Sequence, residues 1–331
     1  MPEHPFAKFL RTIGKGPTLS RALSRDEARE AMGLILGNAV TPEQLGAFLL
    51  LLRYRGETAV EIAGFIDAAR GMIETSHIST IPDLDWPSYA DRHRQQPWFI
   101  LSAVLLAQRG VNVLMHGIEG ESEGHAPTRP ALQAMGIPIS GDIKSAIEQM
   151  KYAGLAYIGL ESFLPTVNAL FGLRSILGVR TLVNTFARAI NPLMAPCQIQ
   201  GVVHPPYRET HRDVAQLMTQ PSSVVFKGGG GEAQRNPLKI CRTINIQDNV
   251  CNEEDWPALR GDLSYDWRSE SLDPQRLPAL WNNDLSEPAA EAAVVATTAI
   301  VLRLTKRAAT PADADEMAKA LWANRQTVRV S

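Results

Sequence analysis

A run of four glycines, Gly228–Gly231, has the residue type and position that most directly suggest ligand chemistry. It follows the apolar run Val224–Phe226 and Lys227, and glycine lets backbone N–H groups approach a phosphate with no side chain in the way. Arg235 and Lys239 follow within a few residues. The run lacks the Gly-Lys-Ser/Thr ending of a nucleoside-triphosphate loop, so that kind of site is not expected. It predicts either a flexible connection or a contact to an anion such as a nucleic-acid backbone.

Arginines are the second group of residues with a chemical use. Arg174, Arg180 and Arg188 follow one another along one stretch of the chain, and Arg92-His93-Arg94 form a separate basic cluster. A row of guanidinium groups on a helix can neutralise successive phosphates, and each such contact adds to the salt dependence of binding. The alternatives are helix caps or ion pairs at a domain interface for the first group, and an ordinary exposed loop for the second.

The histidines and cysteines do not form an obvious reactive site. His116 has no nucleophile or partner acid fixed near it in sequence, so we expect a structural role in a turn rather than a role as a base. Cys197, Cys241 and Cys251 are odd in number and lack the short paired spacing of zinc ligands. We therefore expect reduced, structural thiols, no bound metal and no other cofactor.

The formal net charge of −2 hides an uneven distribution of charge. Residues 171–242 carry nine Arg and Lys against three acids, whereas residues 248–291 carry eleven acids against three Arg. This asymmetry indicates either a basic surface that meets a polyanion or two solvated faces that balance each other. A protein partner for the acidic 248–291 segment is a further possibility.

Length and composition indicate a globular protein of two domains. The 331 residues are enough to bury a full core, and 45% hydrophobic with 21% charged residues excludes a disordered or fibrous chain. The longest apolar stretch, Leu45–Leu52, is far shorter than the roughly 20 residues of a membrane helix. Met1–Pro5 has an acid and two prolines in place of a secretory signal, so we expect a cytoplasmic protein with no membrane segment.

Helix signals dominate the first part of the chain. Capping boxes begin two helices, at Ser24 and at Thr41, and Thr58–Met72 carries apolar residues at helical spacing. The turns between these helices are short, which favours an antiparallel helical bundle over residues 1–78. We expect residues 161–178 to pack on this bundle.

After Ile81-Pro82, short apolar runs alternate with helical stretches. The runs typical of strands are Val111–Met115, Leu155–Leu160, Gln198–Val203 and Val224–Phe226. The helical stretches are Thr128–Met135, Leu164–Leu177, Glu209–Met218, Pro288–Leu304 and Ala312–Trp322. Such alternation predicts an α/β domain with a mainly parallel sheet, formed by residues 79–160 and 179–331. Residues 252–287 are acidic and poorly periodic, and predict a long excursion on the surface.

Several segments resemble the anthranilate phosphoribosyltransferases. Val111–Gly117 and Leu132–Ile137 follow the bundle in the family's order, and Asn191-Pro192 matches its Asn-Pro pair. Leu173–Asn184 resembles its arginine-bearing helix and the Leu-Gly-x-Arg-Thr-x-x-Asn run after it, so that Arg174 matches the arginine that holds the anthranilate carboxylate. The resemblance implies a fold of the phosphoribosyltransferase class, related to the nucleoside phosphorylases, with an N-terminal helical bundle.

The same resemblance shows that most residues for the phosphoribosyl substrate are replaced. The family's Gly-Thr-Gly-Gly-Asp loop, which binds 5-phosphoribosyl pyrophosphate, falls on Pro87–Asp91, where every glycine is lost. The Lys-His-Gly-Asn element is here Met115–Ile118, without the charged amine and the amide. The residues left at this degenerate phosphoribosyl site are Ser88, Tyr89, Asp91, His116 and Gly117.

The magnesium site of the family is also reduced. Its Asp-Glu pair would lie just after Val224–Phe226, where this chain offers only Glu232. Two adjacent carboxylates suit a phosphate-bridging magnesium ion, and one does not. Under an enzyme hypothesis, magnesium would be held by Asp91 and Glu232, and Arg92 with Arg94 would clamp pyrophosphate.

These replacements resemble the divergent YbiB-type branch of the family, which implies a nucleic-acid-binding homodimer joined through the helical bundles. Such a protein would bind single-stranded DNA or RNA without sequence preference and would have lost phosphoribosyl transfer. Its contacts would come from Arg92, Arg94, Arg174, Arg180, Arg188, Lys227, Arg235 and Lys239. The alternatives are a magnesium-dependent phosphoribosyl or other glycosyl transferase with an unidentified acceptor, and a scaffold that acts only through a protein partner.

Overall fold

The computed structural model describes residues 3–16, 18–74, 78, 80–90, 94–121 and 123–326. Its first helices are α1 Ala7–Gly14, α2 Arg25–Leu36, α3 Pro42–Arg55, α4 Ala59–Arg70, α5 Phe99–Ala107, α6 Thr128–Ala134, α7 Ile143–Ala153 and α8 Leu160–Phe163. The others are α9 Pro165–Gly172, α10 Arg174–Leu177, α11 Val183–Phe186, α12 Pro206–Leu217, α13 Arg276–Trp281, α14 Pro288–Leu304 and α15 Pro311–Ala323. The strands are β1 Leu84–Ser88, β2 Val113–Gly117, β3 Ile139–Ser140, β4 Leu155–Gly159, β5 Cys197–Val202, β6 Ser222–Lys227, β7 Cys241–Gln247 and β8 Val250–Trp256.

Local signals place the helices of the N-terminal bundle correctly. The Ser24 and Thr41 side chains each accept the expected hydrogen bond at the start of α2 and α3. Thr58 does the same for α4, which ends at Arg70 rather than Met72. At Gly64 the two helices α2 and α4 approach so closely that a Cβ would lie 2.3 Å from the Arg25 carbonyl oxygen. Glycine at this position therefore sets the spacing of the bundle.

Helix α9 shares the core of the bundle. Its Val167 and Leu170 are buried in the same cluster as Phe48 and Phe65. The predicted single helix Leu164–Leu177 is divided into α9 and α10. None of the helices in the described part of the chain combines the length and the apolar character that a bilayer span requires.

An eight-stranded sheet forms the second domain, with strand order β3-β4-β2-β1-β5-β6-β7-β8. The first six strands of this order are parallel, and β7 and β8 are antiparallel to their neighbours. Successive side chains of a strand point to opposite faces. In β4, Ala156 and Ile158 accordingly join the core beneath the bundle, and Leu155 and Tyr157 join the core beneath α5 and α14.

The predicted excursion over residues 252–287 is wrong at two places. Residues Val250–Trp256 form the edge strand β8, and Arg276–Trp281 form α13. Most side chains of β8 are exposed, so the strand carries no apolar periodicity that the sequence could reveal. Strand β1 was likewise not predicted, because Asp85 and Pro87 interrupt its apolar character.

Candidate functional site

The parallel strands of the sheet end at one edge, and most of the predicted site residues lie there. Ser88 ends β1, His116 and Gly117 end β2, and Lys227 ends β6, with the glycine run directly after it. Ligands of open α/β sheets bind outside the carboxyl ends of the strands. This edge is therefore the place to look for a site.

Tyr89, the residue after β1, fills space at the carboxyl end of the strand with a buried ring. Tyr89 is 2% exposed, and its ring stacks on Phe171 of α9 with centroids 5.9 Å apart and planes 19° apart. Its hydroxyl lies 2.8 Å from Nδ1 of His116, whose Nε2 lies 3.0 Å from an Asp85 carboxylate oxygen. Burial raises the pKa of the Tyr89 phenol well above its usual value, so it stays protonated. The side chain occupies the loop position at which the resemblance places a glycine.

Ser88 and Gly117 are also committed to packing. A Cβ at Gly117 would lie 1.9 Å from the Ser88 carbonyl oxygen, so only glycine fits where β1 and β2 end. The Ser88 hydroxyl lies 2.7 Å from the Thr128 hydroxyl at the start of α6. The hypothesis that His116 is structural agrees with this packing, although its partners Tyr89 and Asp85 are not adjacent to it in sequence.

Glu232 points into the same interior. Its Oε1 accepts a 2.6 Å hydrogen bond from the Ala90 backbone N–H. Burial raises the pKa of its carboxyl to about 7, against the opposing effects of the Ala90 N–H, the Arg188 charge and the Ser88 hydroxyl. Among the described residues no group of three or more His, Cys, Asp or Glu could hold a metal ion, and Asp91 lies outside them. Of the two carboxyls of the magnesium hypothesis the structure describes Glu232 alone, and its Oε1 is already used by the Ala90 N–H.

The glycine run forms a tight turn rather than a phosphate cradle. The N–H groups of Gly228, Gly229 and Glu232 donate to the carbonyls of Val202, Gln234 and Gly229. A Cβ at Gly228 would lie 1.7 Å from the Glu232 carbonyl oxygen. These N–H groups are therefore used inside the protein, and the anion contact predicted for them is corrected to a packing role.

The three arginines do not form a row on one helix, which corrects that prediction. Helix α10 ends at Leu177, and Gly178 leaves it with φ 74°. Arg174 is half-buried on α10, Arg180 is exposed beyond the helix, and Arg188 lies in the short 3₁₀ turn Ala187–Ala189. The Arg188 guanidinium donates to the carbonyls of Gly201 and Gly231, so it ties the end of β5 to the glycine run.

Arg235 was expected to contribute to a basic surface and is instead completely buried. Its guanidinium donates to Asp315 at 2.8 Å and to the Pro257 carbonyl at 2.7 Å, and lies 4.7 Å from the Trp256 ring centroid. This residue stabilises the α/β domain and cannot reach a polyanion. Lys239, Lys227 and Arg94 are exposed, whereas Arg92 and Asp91 fall outside the described residues.

The structure places two basic residues that the sequence analysis did not single out, Arg208 and Arg242, beside Lys227. Phe226 pairs with Thr243, so Lys227 and Arg242 are neighbours on β6 and β7. The Arg208 guanidinium of α12 donates to the Arg242 carbonyl at 3.2 Å. Arg242 in turn pairs with Asp255 of β8 at 2.7 Å, so part of the basic segment is balanced by the acidic one.

A second group of such residues lies where the bundle meets α12. Arg53, in the last turn of α3, donates to the Tyr207 hydroxyl in the first turn of α12 at 3.1 Å. Tyr54, beside Arg53, is 94% exposed. The only sequence signal was the pair of dipeptides Arg53-Tyr54 and Tyr207-Arg208, which are too far apart in the chain to suggest contact.

A pocket of about 390 Å³ remains between the loop after β2 and the α9–α11 region. It is lined by Ile118, Gly120, Glu121, Phe171, Gly172, Arg174, Ser175, Gly178 and Asn184. Arg174, one of the predicted basic residues, thus faces a pocket. The three cysteines are free thiols, with Cys197 half-buried, Cys241 buried and Cys251 exposed.

Comparison with known families and proteins agrees with the architecture. The helical bundle domain of a glycosyl transferase family matches residues 7–72, and the a/b domain of a glycosyl transferase family matches residues 100–326. The anthranilate phosphoribosyltransferase of Thermomicrobium roseum is 30% identical over 256 residues, which cover 72% of this chain and 73% of that protein. That of Natronomonas pharaonis is 29% identical over 223 residues, which cover 67% of this chain and 65% of that protein, or slightly less than two thirds of its length.

Solved structures confirm the predicted fold class, a helical bundle with a larger, mostly parallel α/β domain. The anthranilate phosphoribosyltransferase of Thermus thermophilus matches with a TM-score of 0.80 at 18% identity, over 97% of this chain and 95% of its own. The Saccharomyces cerevisiae enzyme in complex with PRPP and Mg matches with a TM-score of 0.75 at 14% identity, over 96% and 93% of the two chains. The chain therefore belongs to the anthranilate phosphoribosyltransferase-like family of glycosyl transferases.

Proposed function

We propose that this chain is a cytoplasmic protein that binds single-stranded DNA or RNA without sequence preference and does not transfer phosphoribosyl groups. The observation that carries the proposal is the buried Tyr89 ring, held by His116 at the position of the pyrophosphate loop. A backbone that must approach pyrophosphate cannot do so through a tyrosine ring packed on Phe171. The loss of the small-anion site and the presence of basic side chains at the same edge together favour a larger anion.

Exposed cations supply the affinity in this proposal. Lys227, Lys239 and Arg94 are exposed near the carboxyl edge of the sheet, and Arg208 and Arg242 adjoin Lys227. Lys and Arg that neutralise phosphates release counterions, so binding weakens linearly in a plot of log K against log salt. Each contact to a single strand adds about −0.7 to that slope.

The test is fluorescence anisotropy of a labelled oligothymidine over a range of salt concentrations. Lys227→Glu and Lys239→Glu should each weaken binding and make the salt slope shallower by about one contact. Lys319→Glu on α15 makes the same change of charge at another exposed lysine and should alter neither quantity. The proposal would be overturned by an affinity that does not change with salt concentration, or by a salt slope that stays at the wild-type value in both lysine variants.

We also propose that the protein is a homodimer joined through its helical bundles. The resemblance to the YbiB-type branch supports this proposal, and Leu19, between α1 and α2, is a 72% exposed apolar side chain of the bundle that such a contact would cover. Two copies would double the number of phosphate contacts in one particle and raise the avidity for a long strand. Light scattering should give a dimer for the wild type and a monomer for Leu19→Glu, and a monomeric wild type would contradict the proposal.

The second candidate is a magnesium-dependent phosphoribosyl or glycosyl transferase with an unidentified acceptor. Two observations favour it: the named relatives at about 30% identity and the pocket that keeps Arg174 and Asn184. Calorimetric titration with phosphoribosyl pyrophosphate and magnesium separates the candidates. We expect no heat of binding, and a saturable heat would support the transferase instead.

A further inference from the structure

Two Arg-Tyr pairs from different domains meet at the junction of the bundle and the sheet. Arg53 and Tyr54 come from the end of α3, and Tyr207 and Arg208 from the start of α12. The Arg53 guanidinium donates to the Tyr207 hydroxyl at 3.1 Å, in an exposed contact. We call Arg53, Tyr54, Tyr207 and Arg208 the junction patch.

Helix α12 connects the junction patch to the basic residues of the sheet edge. It packs on α4 of the bundle and on β6 and β7 of the sheet. From Tyr207 the path continues through Arg208 to the Arg242 carbonyl at 3.2 Å and to Lys227, the neighbour of Arg242 on β6. A polyanion bound at Lys227 can therefore extend past Arg242 and Arg208 to the bundle.

The composition of the junction patch fits one class of ligand. A cluster of cations alone would suit any polyanion, including a duplex. An exposed phenol ring also offers a surface on which an unpaired base stacks, and every base has such a face. In a duplex the bases are already stacked on each other, so a tyrosine ring finds no free base face to contact. The Tyr54 side chain, which follows Arg53 in α3, is 94% exposed and has the accessibility that this contact needs, whereas Tyr207 is half-buried.

We propose that the junction patch is a second binding site for the strand, at which Tyr54 and Tyr207 stack on bases while Arg53 and Arg208 contact phosphates. This inference rests on the proposed function, because the strand reaches the patch from the sheet edge. It adds selectivity for single strands over duplexes, which the lysines of the sheet edge do not supply. It also means that one strand contacts both domains.

The test compares an oligothymidine with a duplex of equal length, using Tyr54→Ala and a matched control. Tyr152 on α7 is also 94% exposed, so Tyr152→Ala removes an equally accessible ring elsewhere. Tyr54→Ala should weaken binding of the single strand about ten-fold, leave its salt slope unchanged and leave duplex affinity unchanged. Tyr152→Ala should change none of these. Arg53→Gln should weaken both ligands and make the slope shallower.

The outcomes separate the inference from the function on which it rests. If the wild type binds neither ligand, the proposed function fails and the inference fails with it. If the wild type binds with a steep salt slope but Tyr54→Ala and Tyr207→Leu both bind as the wild type does, only the inference is overturned. Light scattering of Tyr54→Ala must give the wild-type mass, since a changed mass would assign Tyr54 to a contact between copies and overturn the inference.

Discussion

The Tyr89 hydroxyl lies 2.8 Å from Nδ1 of His116, and both side chains are buried. The other nitrogen of His116 faces Asp85, and Asp85 also accepts a 2.8 Å hydrogen bond from the Gln198 side chain. Three strands, β1, β2 and β5, thus meet through one chain of buried polar groups. Such a chain is stable only when each member keeps its partners.

Tyr89→Phe removes one hydroxyl from this chain and leaves Nδ1 of His116 buried without a partner. We expect the free energy of unfolding to fall by about 1–2 kcal/mol, measured by urea denaturation. Tyr152→Phe removes an exposed hydroxyl and should have no measurable effect. A Tyr89→Phe variant as stable as the wild type would show that the hydrogen bond to His116 does not matter.

Glu232 predicts a pH dependence of stability. Its pKa of about 7 lies above the ordinary value of 4.5, so the folded state binds the extra proton between these values. The stability from the buried neutral carboxyl is complete below about pH 4.5 and is lost as the pH rises through about 7. Glu232→Gln keeps an acceptor for the Ala90 N–H and removes this loss.

The measurement is urea denaturation of both proteins across that pH range. Between about pH 4.5 and pH 7, the free energy of unfolding of Glu232→Gln relative to the wild type should rise by roughly 2–4 kcal/mol. Above about pH 7 this difference should stay constant. Other groups titrate equally in both proteins, so they cancel in the difference. A difference that stays constant with pH would place the carboxyl pKa near its ordinary value.

Replacement of glycine by alanine should have opposite effects on stability at two positions in neighbouring helices. A Cβ at Gly64 of α4 would lie 2.3 Å from the Arg25 carbonyl, whereas a Cβ at Gly33 of α2 has no atom within 4 Å. Gly64→Ala should cost about 1–3 kcal/mol because the helices must move apart. Gly33→Ala should gain up to about 1 kcal/mol from helix propensity. Thermal melts of both variants measure the change in melting temperature. A change of the same sign in both variants would contradict the packing described for α2 and α4.

Substitutions at Arg235 and Lys239 distinguish a cation that stabilises the fold from a cation on the surface. Arg235→Gln leaves the Asp315 carboxylate without its buried partner and should cost about 3–5 kcal/mol. Lys239→Gln should stay within about 0.5 kcal/mol of the wild type. Only the second change should weaken oligonucleotide binding at a temperature where both variants are folded. Weaker binding by a folded Arg235→Gln protein would mean that this side chain reaches the ligand.

Features set by neighbouring residues were predictable from the sequence. The capping residues Ser24 and Thr41 act on N–H groups three residues away, and β4 is an apolar run because both of its faces are buried. Strand β1 escaped prediction because it carries a buried Asp85, whose partners His116 and Gln198 come from other strands. The pattern of a single segment contains no information about such partners.

The site was harder to predict for the same reason. Arg235 resembles any surface arginine until Asp315, 80 residues later, is placed beside it. Arg53 and Tyr207 are 154 residues apart, and only the packing of α12 on the bundle brings them together. Sequence reasoning placed the glycine run directly after a strand, as the structure has it. It could not distinguish the cations that face solvent from those that hold the chain together.

Strand β8 has a consequence for the behaviour of the protein at high concentration. It is the outermost strand of the sheet, and its backbone groups on the free side could pair with a strand of another molecule. Glu253 and Asp255 are exposed along it, with Glu254 between them. Like charges brought edge to edge repel each other, which disfavours a sheet shared by two copies. We therefore expect the acidic residues of β8 to lower the tendency of two copies to pair through this edge of the sheet.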